Sequence, residues 1–190
     1  MRVQAGSVDR TQDLPGSGVQ IRGASAADCE AIKSFVVGLS LRARFLRFFT
    51  PASPPTPAVL RGLCGGGRTT DVLVATADGT VIGHAMAADS TGPDGGQVTD
   101  IGLVVADRWQ HRGVGSDLFG RVIARAAARG VRGLEMDVLP ENRTMLAMIS
   151  RRWADASYEY GGGSVTVRVP LADGAPAPHP GRGGAALRAA

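Results

Sequence analysis

The sequence predicts a mixed α/β (α+β) domain: a mainly antiparallel central sheet flanked by helices. Three observations carry this. Strand-like and helical patterns follow one another in the order β, two helices, three consecutive strands, then α, β, α and β, an order suited to a mixed sheet. Two of the three consecutive runs lie within Asp71 to Asp89 and are joined by Asp78-Gly79, the strongest short-range hairpin signal. No segment repeats at a fixed period, and no apolar run approaches the ~18 residues of a membrane span.

Each element has a local reason. Val19 to Ala24 alternates as a strand. Ser25 is placed to cap a helix over "SAADCEAIKSFVVGL", which puts Cys29, Ile32, Phe35 and Val36 on one face. A short helix follows from Ser40, "SLRARFLRFF", and Thr50-Pro51 stops it. "TPASPPTP" breaks regular structure. After the hairpin, the loop "STGPDGG" leads to a third run, "QVTDIGLVVA". "SDLFGRVIARAAARG" then carries Leu118, Phe119, Val122, Ile123, Ala126 and Ala127 on one helical face and Arg121, Arg125 and Arg129 on the other. Those arginines read as a solvated face, and Gly130 as the C-terminal stop. "GLEMDVL" is a strand, "PENRTMLAMISRR" a helix and "SVTVRVPL" a closing strand.

Composition narrows the function classes. A chain of 190 residues holds one domain with a real core. Its Gly-, Pro- and Ala-rich ends predict disordered tails at 1–17 and 172–190 around a domain at 18–171. Lys33 is the single lysine among 21 cationic side chains, and the arginines are scattered along the chain. With aromatics at 5%, little is available to stack bases on, so no nucleic-acid partner is expected. Cys29 and Cys64 lie far apart with no CxxC or Cys/His cluster, which reads as bystander thiols and no metal. The amino terminus carries no apolar signal segment, so the expected location is the cytoplasm, with no membrane partner. His84 reads as a strand histidine with its hydrogen bond satisfied, and His179 falls in the tail.

The informative stretch is "VVADRWQHRGVGSDLFGRVI", where Gly113 and Gly115 stand just ahead of a helix. A helix start offers free N–H groups and the positive end of the backbone dipole, and glycine removes the Cβ atoms that would hold an anion away. Amides from about Arg112 to Ser116 can converge on one phosphate, and Ser116 is a candidate either for an added hydroxyl contact or for the helix cap. No Gly-Lys-Ser/Thr follows, so a nucleotide-binding P-loop is excluded. A dinucleotide fingerprint lacks its third small residue at Leu118, and Ala106 to Arg112 separate the strand from the turn.

"QHRGVG" resembles the Arg/Gln-x-x-Gly-x-Gly/Ala signature of the GCN5-related N-acetyltransferases (GNAT), at the position after the fourth strand where that family has it. "PENRTML" is similar to the family's Asn-containing start of the next helix, and "LSLRARFLRFF" resembles a segment of bacterial Pat-type protein lysine acetyltransferases. The resemblance covers about Val19 to Leu171. It implies a sheet splayed between its fourth and fifth strands, acetyl-CoA as co-substrate, and no metal. It also implies coenzyme contacts from the main chain of Leu103, Val104 and Val105, from Gln110, His111, Arg112, Gly113, Val114, Gly115 and Ser116, and from Asn142.

The implied reaction moves an acetyl (acyl) group to an amine, either a protein lysine, such as one on an acyl-CoA synthetase, or a small amine. A lysine ammonium with a pKa of roughly 10.4 needs a base before it attacks. Asp100 stands where Pat-like relatives have a glutamate and is the candidate base, with Asp137 in reserve. Where many relatives have a tyrosine that protonates the leaving thiolate, this chain has Ile149; where the helix usually closes on Gly-Phe, it has Trp153-Ala154. Two other readings remain open: a noncatalytic acyl-CoA sensor of the same fold, and a nicotinamide-binding module.

Overall fold

The chain forms a single sheet in the computed structural model, which describes residues 12–13, 18–50, 55–65, 69–92 and 95–171. The strands are β1 (Gln12–Asp13), β2 (Val19–Gly23), β3 (Thr70–Ala77), β4 (Thr80–Thr91), β5 (Gln97–Val105), β6 (Gly133–Val138), β7 (Ser157–Gly161) and β8 (Ser164–Pro170). Their order in space is β1-β2-β3-β4-β5-β6-β8-β7. Every neighbouring pair is antiparallel except β5 with β6. The helices are α1 (Cys29–Val37), α2 (Leu41–Phe48), α3 (Pro57–Leu63), α4 (Val114–Ala128) and α5 (Arg143–Arg152).

The parallel pair is where the sheet opens. β5 pairs with β4 over its full length, from Gln97 opposite Thr91 to Val105 opposite Gly83. It pairs with β6 only at Val98, Thr99 and Asp100, opposite Gly133, Leu134 and Glu135. Beyond Asp100 the two strands part, which is the splay expected between the fourth and fifth predicted strands.

Two layers of helix hold this sheet. On one face α4 sinks Leu118, Phe119, Val122, Ile123 and Ala126 completely into the main core, joined by Ile149 of α5. Each large side chain so buried contributes about 1.5–3 kcal/mol. Trp153 stands edge-on to Phe119, ring centroids 5.7 Å apart, and this packing leads the chain from α5 toward β7 without the usual Gly-Phe. On the other face α1 and α3 cover Val74 and Val81 with Ile32, Val36 and Leu63. α2 packs Ala43 against Val104 of β5.

Several expectations need correction. A helix forms at α3, where Thr56 caps it by accepting the Val59 N–H and Pro57 occupies its first turn; this is a favoured helix start that a proline-rich context conceals. An edge strand, β7, forms from "SYEYG" and turns into β8 through Gly162 and Gly163, both at positive φ. Its residues are largely exposed, so no apolar alternation announces it. β1 falls inside the stretch expected to be a tail and pairs with β2; the rest of that tail, and the whole of 172–190 with His179, lie outside the described residues. Cys29 and Cys64 are bonded to each other as a disulfide, Cα atoms 5.1 Å apart, tying the start of α1 to the end of α3. Thirty-five residues separate them in sequence, so only the packing of α1 on α3 brings them together. The two cysteines expected to be bystander thiols are therefore a cross-link. Among the described residues no helix is long and apolar enough to cross a membrane.

The arginine face of α4 is also not simply solvated. Arg125 makes a bidentate pair with Asp71 at 2.8 and 2.9 Å, and Arg129 grips both Asp71 (2.8 Å) and Asp89 (2.7 Å). Arg121 donates to the Ile21 carbonyl. Together they stitch α4 to β2, β3 and β4.

His84 is fully buried on β4, and its Nε2–H donates to the Leu63 carbonyl at 2.9 Å. Its Nδ1 is buried without a partner, so only half of the expected hydrogen bonding is met. Burial, reinforced by the charge of Arg47 and opposed by the Leu63 bond, pushes its pKa down from 6.5 to about 4. The folded state therefore disfavours protonation, and stability present above pH 6.5 drains away as the pH falls toward 4. The loss is expected to reach about 3 kcal/mol, from a shift of this size at ~1.36 kcal/mol per unit. Urea melts across this range should show that slope in the wild type and a flatter one in His84→Gln; equal slopes would remove the assignment.

Candidate active site

The site grows from the end of β5. Past Asp100, the main-chain groups of β5 that would have met β6 have no strand partner. One of them, the Val105 carbonyl, accepts a 2.9 Å hydrogen bond from Gln110 Nε2, which folds the following loop back onto the strand end. Asp107 fixes the base of that loop by accepting from Ser40 Oγ, the same hydroxyl that caps α2 by accepting the Ala43 N–H.

The loop then turns on two left-handed residues, His111 (φ 59°) and Gly113 (φ 87°). Left-handed residues alternating with ordinary ones make successive N–H groups converge, the geometry of an anion nest. Gly113 is the N-cap of α4, and the first intrahelical bond of that helix runs from Asp117 N–H to Gly113 carbonyl at 3.0 Å. The amides of Val114, Gly115 and Ser116 precede it and have no acceptor within the helix. Gly113 is required by its dihedral angles. Gly115 is not required by internal packing, since a Cβ there would meet only Val105 Cγ2, at an ordinary 3.7 Å. Its bareness makes sense toward whatever occupies the cleft.

That cleft has a volume of about 550 Å³, within the ~300–1,000 Å³ of small-molecule sites. Leu103, Val104, Val105, Gln110, His111, Gly113, Gly115, Ser116 and Asn142, all expected near the coenzyme, line it. Two expected residues face elsewhere: the Arg112 guanidinium stacks 5.4 Å from the Trp109 ring centroid, and the Val114 side chain is buried in the core. Either could serve the cleft only through its main chain. Ser116 does not cap α4; its hydroxyl donates to Met148 Sδ at 3.7 Å. Asn142 caps α5, with Oδ1 accepting the Met145 N–H at 3.2 Å, which leaves Nδ2 as the atom available to a ligand.

A second opening of about 310 Å³ lies across the split, sharing Arg47, Leu103 and Asn142 with the first. Asp100 and Asp137 line it together with Phe48, Phe49 and Met136. The Asp100 side chain is exposed to solvent on the wall of this opening. Desolvation, with the charges of Asp137 and Glu135, raises its pKa above the ordinary aspartate value, against the pull of Arg47 and of the Ile101 N–H. Asp137 accepts a 2.7 Å bond from Thr166 Oγ1, and Glu135 one of 2.9 Å from Arg168. Among the described residues no side chain holds the Asp100 carboxylate by a hydrogen bond, in contrast to these two.

The sequence profile described as the acetyltransferase (GNAT) family matches residues 40–152, more than half of the chain. The chain belongs to the GNAT acetyltransferase family. Its fold is shared with the GNAT domain of S. lividans PAT (24% identity, 80% of this chain and 90% of that one, TM-score 0.70). It also matches a phosphinothricin acetyltransferase from Sinorhizobium meliloti in complex with AcCoA (20%, 87% and 95%, 0.65). A GCN5-related N-acetyltransferase from Kribbella flavida gives 25% identity, 81% and 98% coverage and a TM-score of 0.63. No curated protein matches the sequence.

Within this GNAT domain, sequence reasoning missed the cations at the cleft. Arg42 from α2 and Arg143 and Arg151 from α5 line the same opening as the loop amides. They are 109 residues apart at the extremes and share no motif, so they look scattered until α2 and α5 are set on either side of the split. A cluster of guanidinium groups beside free helix amides suits a ligand carrying several phosphate charges, such as coenzyme A. Ile149 is fully buried, and no tyrosine lines either opening among the described residues.

Proposed function

We propose that this GNAT domain transfers an acetyl group from acetyl-CoA to an amine, and that the acceptor is the side chain of a protein lysine. One observation carries the reading: the convergent amides of 113–116, the edge of Leu103 to Val105 that faces away from β4 and has no strand partner, and the Asp100 carboxylate, which no side chain holds among the described residues, line two adjoining openings. That is the order in which a diphosphate, a pantetheine arm and a reacting amine must be met.

Acetyl-CoA, when bound, supplies an activated acyl carbon and a thiolate leaving group. The loop amides and Arg42, Arg143 and Arg151 hold its phosphates, and main-chain groups of Leu103 to Val105 align its arm. A free N–H in that strip donates to oxygen as negative charge develops, a contribution that needs no rearrangement. Asp100 takes the proton of the acceptor ammonium, directly or through one water, and its raised pKa makes it a better base than an aspartate of ordinary pKa. Among the described residues no phenol lines either opening to protonate the leaving sulfur, and a thiol with a pKa of roughly 8.5 can leave as thiolate without one. The carboxylates of the second opening, with Phe48, Phe49 and Met136 for an aliphatic stem, favour a lysine; the resemblance of "LSLRARFLRFF" to Pat-type enzymes points the same way.

Calorimetry on the full chain tests the coenzyme half. CoA should titrate with a measurable heat and NAD with none; the reverse would make this a nicotinamide module. Mass spectrometry of a lysine peptide incubated with acetyl-CoA tests transfer. CoA binding with no acetylation of any amine would leave a sensor domain.

A further inference from the structure

Arg47 is a cationic side chain in the cleft that the transfer chemistry leaves unused. It reaches from α2 across β5 and lies over Gly102, where a Cβ would collide with the guanidinium. It lines both openings, so it stands at their junction, one residue from the strip that aligns the thioester. Its Nε is buried with no hydrogen-bond partner. Among the described residues no carboxylate comes within ion-pair distance of it; Asp100 acts on it only at longer range.

Arg47 is only partly exposed, and burying the Nε of its guanidinium without a counter-ion is costly, a cost that the Phe48 ring, 5.1 Å from Cζ, offsets only in part. Packing alone does not explain the choice, because an apolar side chain would fill the same space over Gly102 at no electrostatic cost. The phosphates are already provided for by the loop amides and by Arg42, Arg143 and Arg151, and the second opening, which Arg47 shares, contains none of those groups. An anion met by the side of Arg47 that faces the second opening therefore belongs to the reacting end. The planar fork of a guanidinium matches a carboxylate.

We infer that Arg47 anchors a carboxylate carried by one of the two reacting partners, either the far end of a dicarboxylic acyl group or a carboxylate beside the acceptor amine. The inference rests on the acyl-CoA reading above and adds the chemical class of one of its substrates.

Two arms distinguish the sources. With one lysine peptide as acceptor, succinyl-CoA is compared with acetyl-CoA. With acetyl-CoA as donor, free lysine is compared with cadaverine, which lacks the carboxylate. In one arm the carboxylate-bearing substrate should be favoured in kcat/KM by about 10- to 100-fold, as expected for a hydrogen bond to a charged group. Arg47→Gln should bring that ratio close to one, and Arg47→Lys should retain part of it; the ratio, rather than either rate, is the readout. If Arg47→Gln does not fold, Gly102→Ala displaces the guanidinium by other means and should lower the same ratio. Ratios near one in both arms of the wild type, or a ratio that a folded Arg47→Gln leaves intact, overturn the inference while the acetyltransferase stands. A chain that binds no CoA takes both down.

Discussion

Replacing Asp100 with asparagine is expected to lower kcat by about 10²- to 10⁴-fold, the usual contribution of a positioned general base, with CoA affinity within about twofold of wild type. The two effects separate because Asp100 lines the opening across the split and has no place among the loop residues. Asparagine keeps the shape and the reach but cannot accept a proton. The same substitution should leave the melting temperature unchanged or raise it, since desolvation and the charges of Asp137 and Glu135 all disfavour the ionised carboxylate. Its pH signature has a definite sign. Asp100 must be ionised to act, so wild-type kcat/KM should fall as the pH drops through a pKa lying above the ordinary aspartate value, and Asp100→Asn should lack that acid limb. Asp137→Asn is the comparator. Its carboxylate is already held by Thr166, and its loss should cost less than about tenfold, below the range of a positioned base. A variant pair behaving the other way round would transfer the role to Asp137.

What could be foreseen from the residues follows the range of the interactions that decide each feature. The β3–β4 hairpin was readable because Asp78 and Gly79 adopt the positive φ their residue types favour, a matter of two neighbours. The buried face of α4 was readable from its own periodicity. The splay was reached only through resemblance, since nothing in Asp100 or Glu135 says that pairing stops there. Features made by distant segments stayed hidden. The Cys29–Cys64 bond depends on α1 meeting α3, and the pairing of Arg125 and Arg129 with Asp71 and Asp89 depends on α4 lying across β3 and β4. Read along the chain, Arg47 is one of many arginines; the bare backbone of Gly102 beneath it, its partnerless Nε and its place at both openings set it apart. The loop shows both cases at once. Its glycines marked it in the sequence, while the guanidinium groups around it came from two other helices.

The proposed diphosphate site makes a prediction in which stability and binding move apart. Gly115→Glu should weaken CoA binding by at least about 100-fold, because it sets a carboxylate among the amides meant for phosphate and replaces attraction by repulsion. The fold should not suffer. Gly115 is the second residue of α4, where an acidic side chain complements the helix dipole, and an ordinary residue is worth a few tenths of a kcal/mol to ~1 kcal/mol over glycine in a helix. A Cβ there meets nothing closer than Val105 Cγ2 at 3.7 Å. The melting temperature is therefore expected to hold or rise while affinity collapses. Gly115→Ala separates size from charge: it should gain the same helical stabilisation and keep most of its CoA affinity, since a single methyl leaves the amides open. Thermal melts and calorimetry on the two variants decide the matter. If Gly115→Glu binds CoA as tightly as the wild type, the amides of α4 do not hold the phosphates, and the arginines of α2 and α5 would have to do so alone.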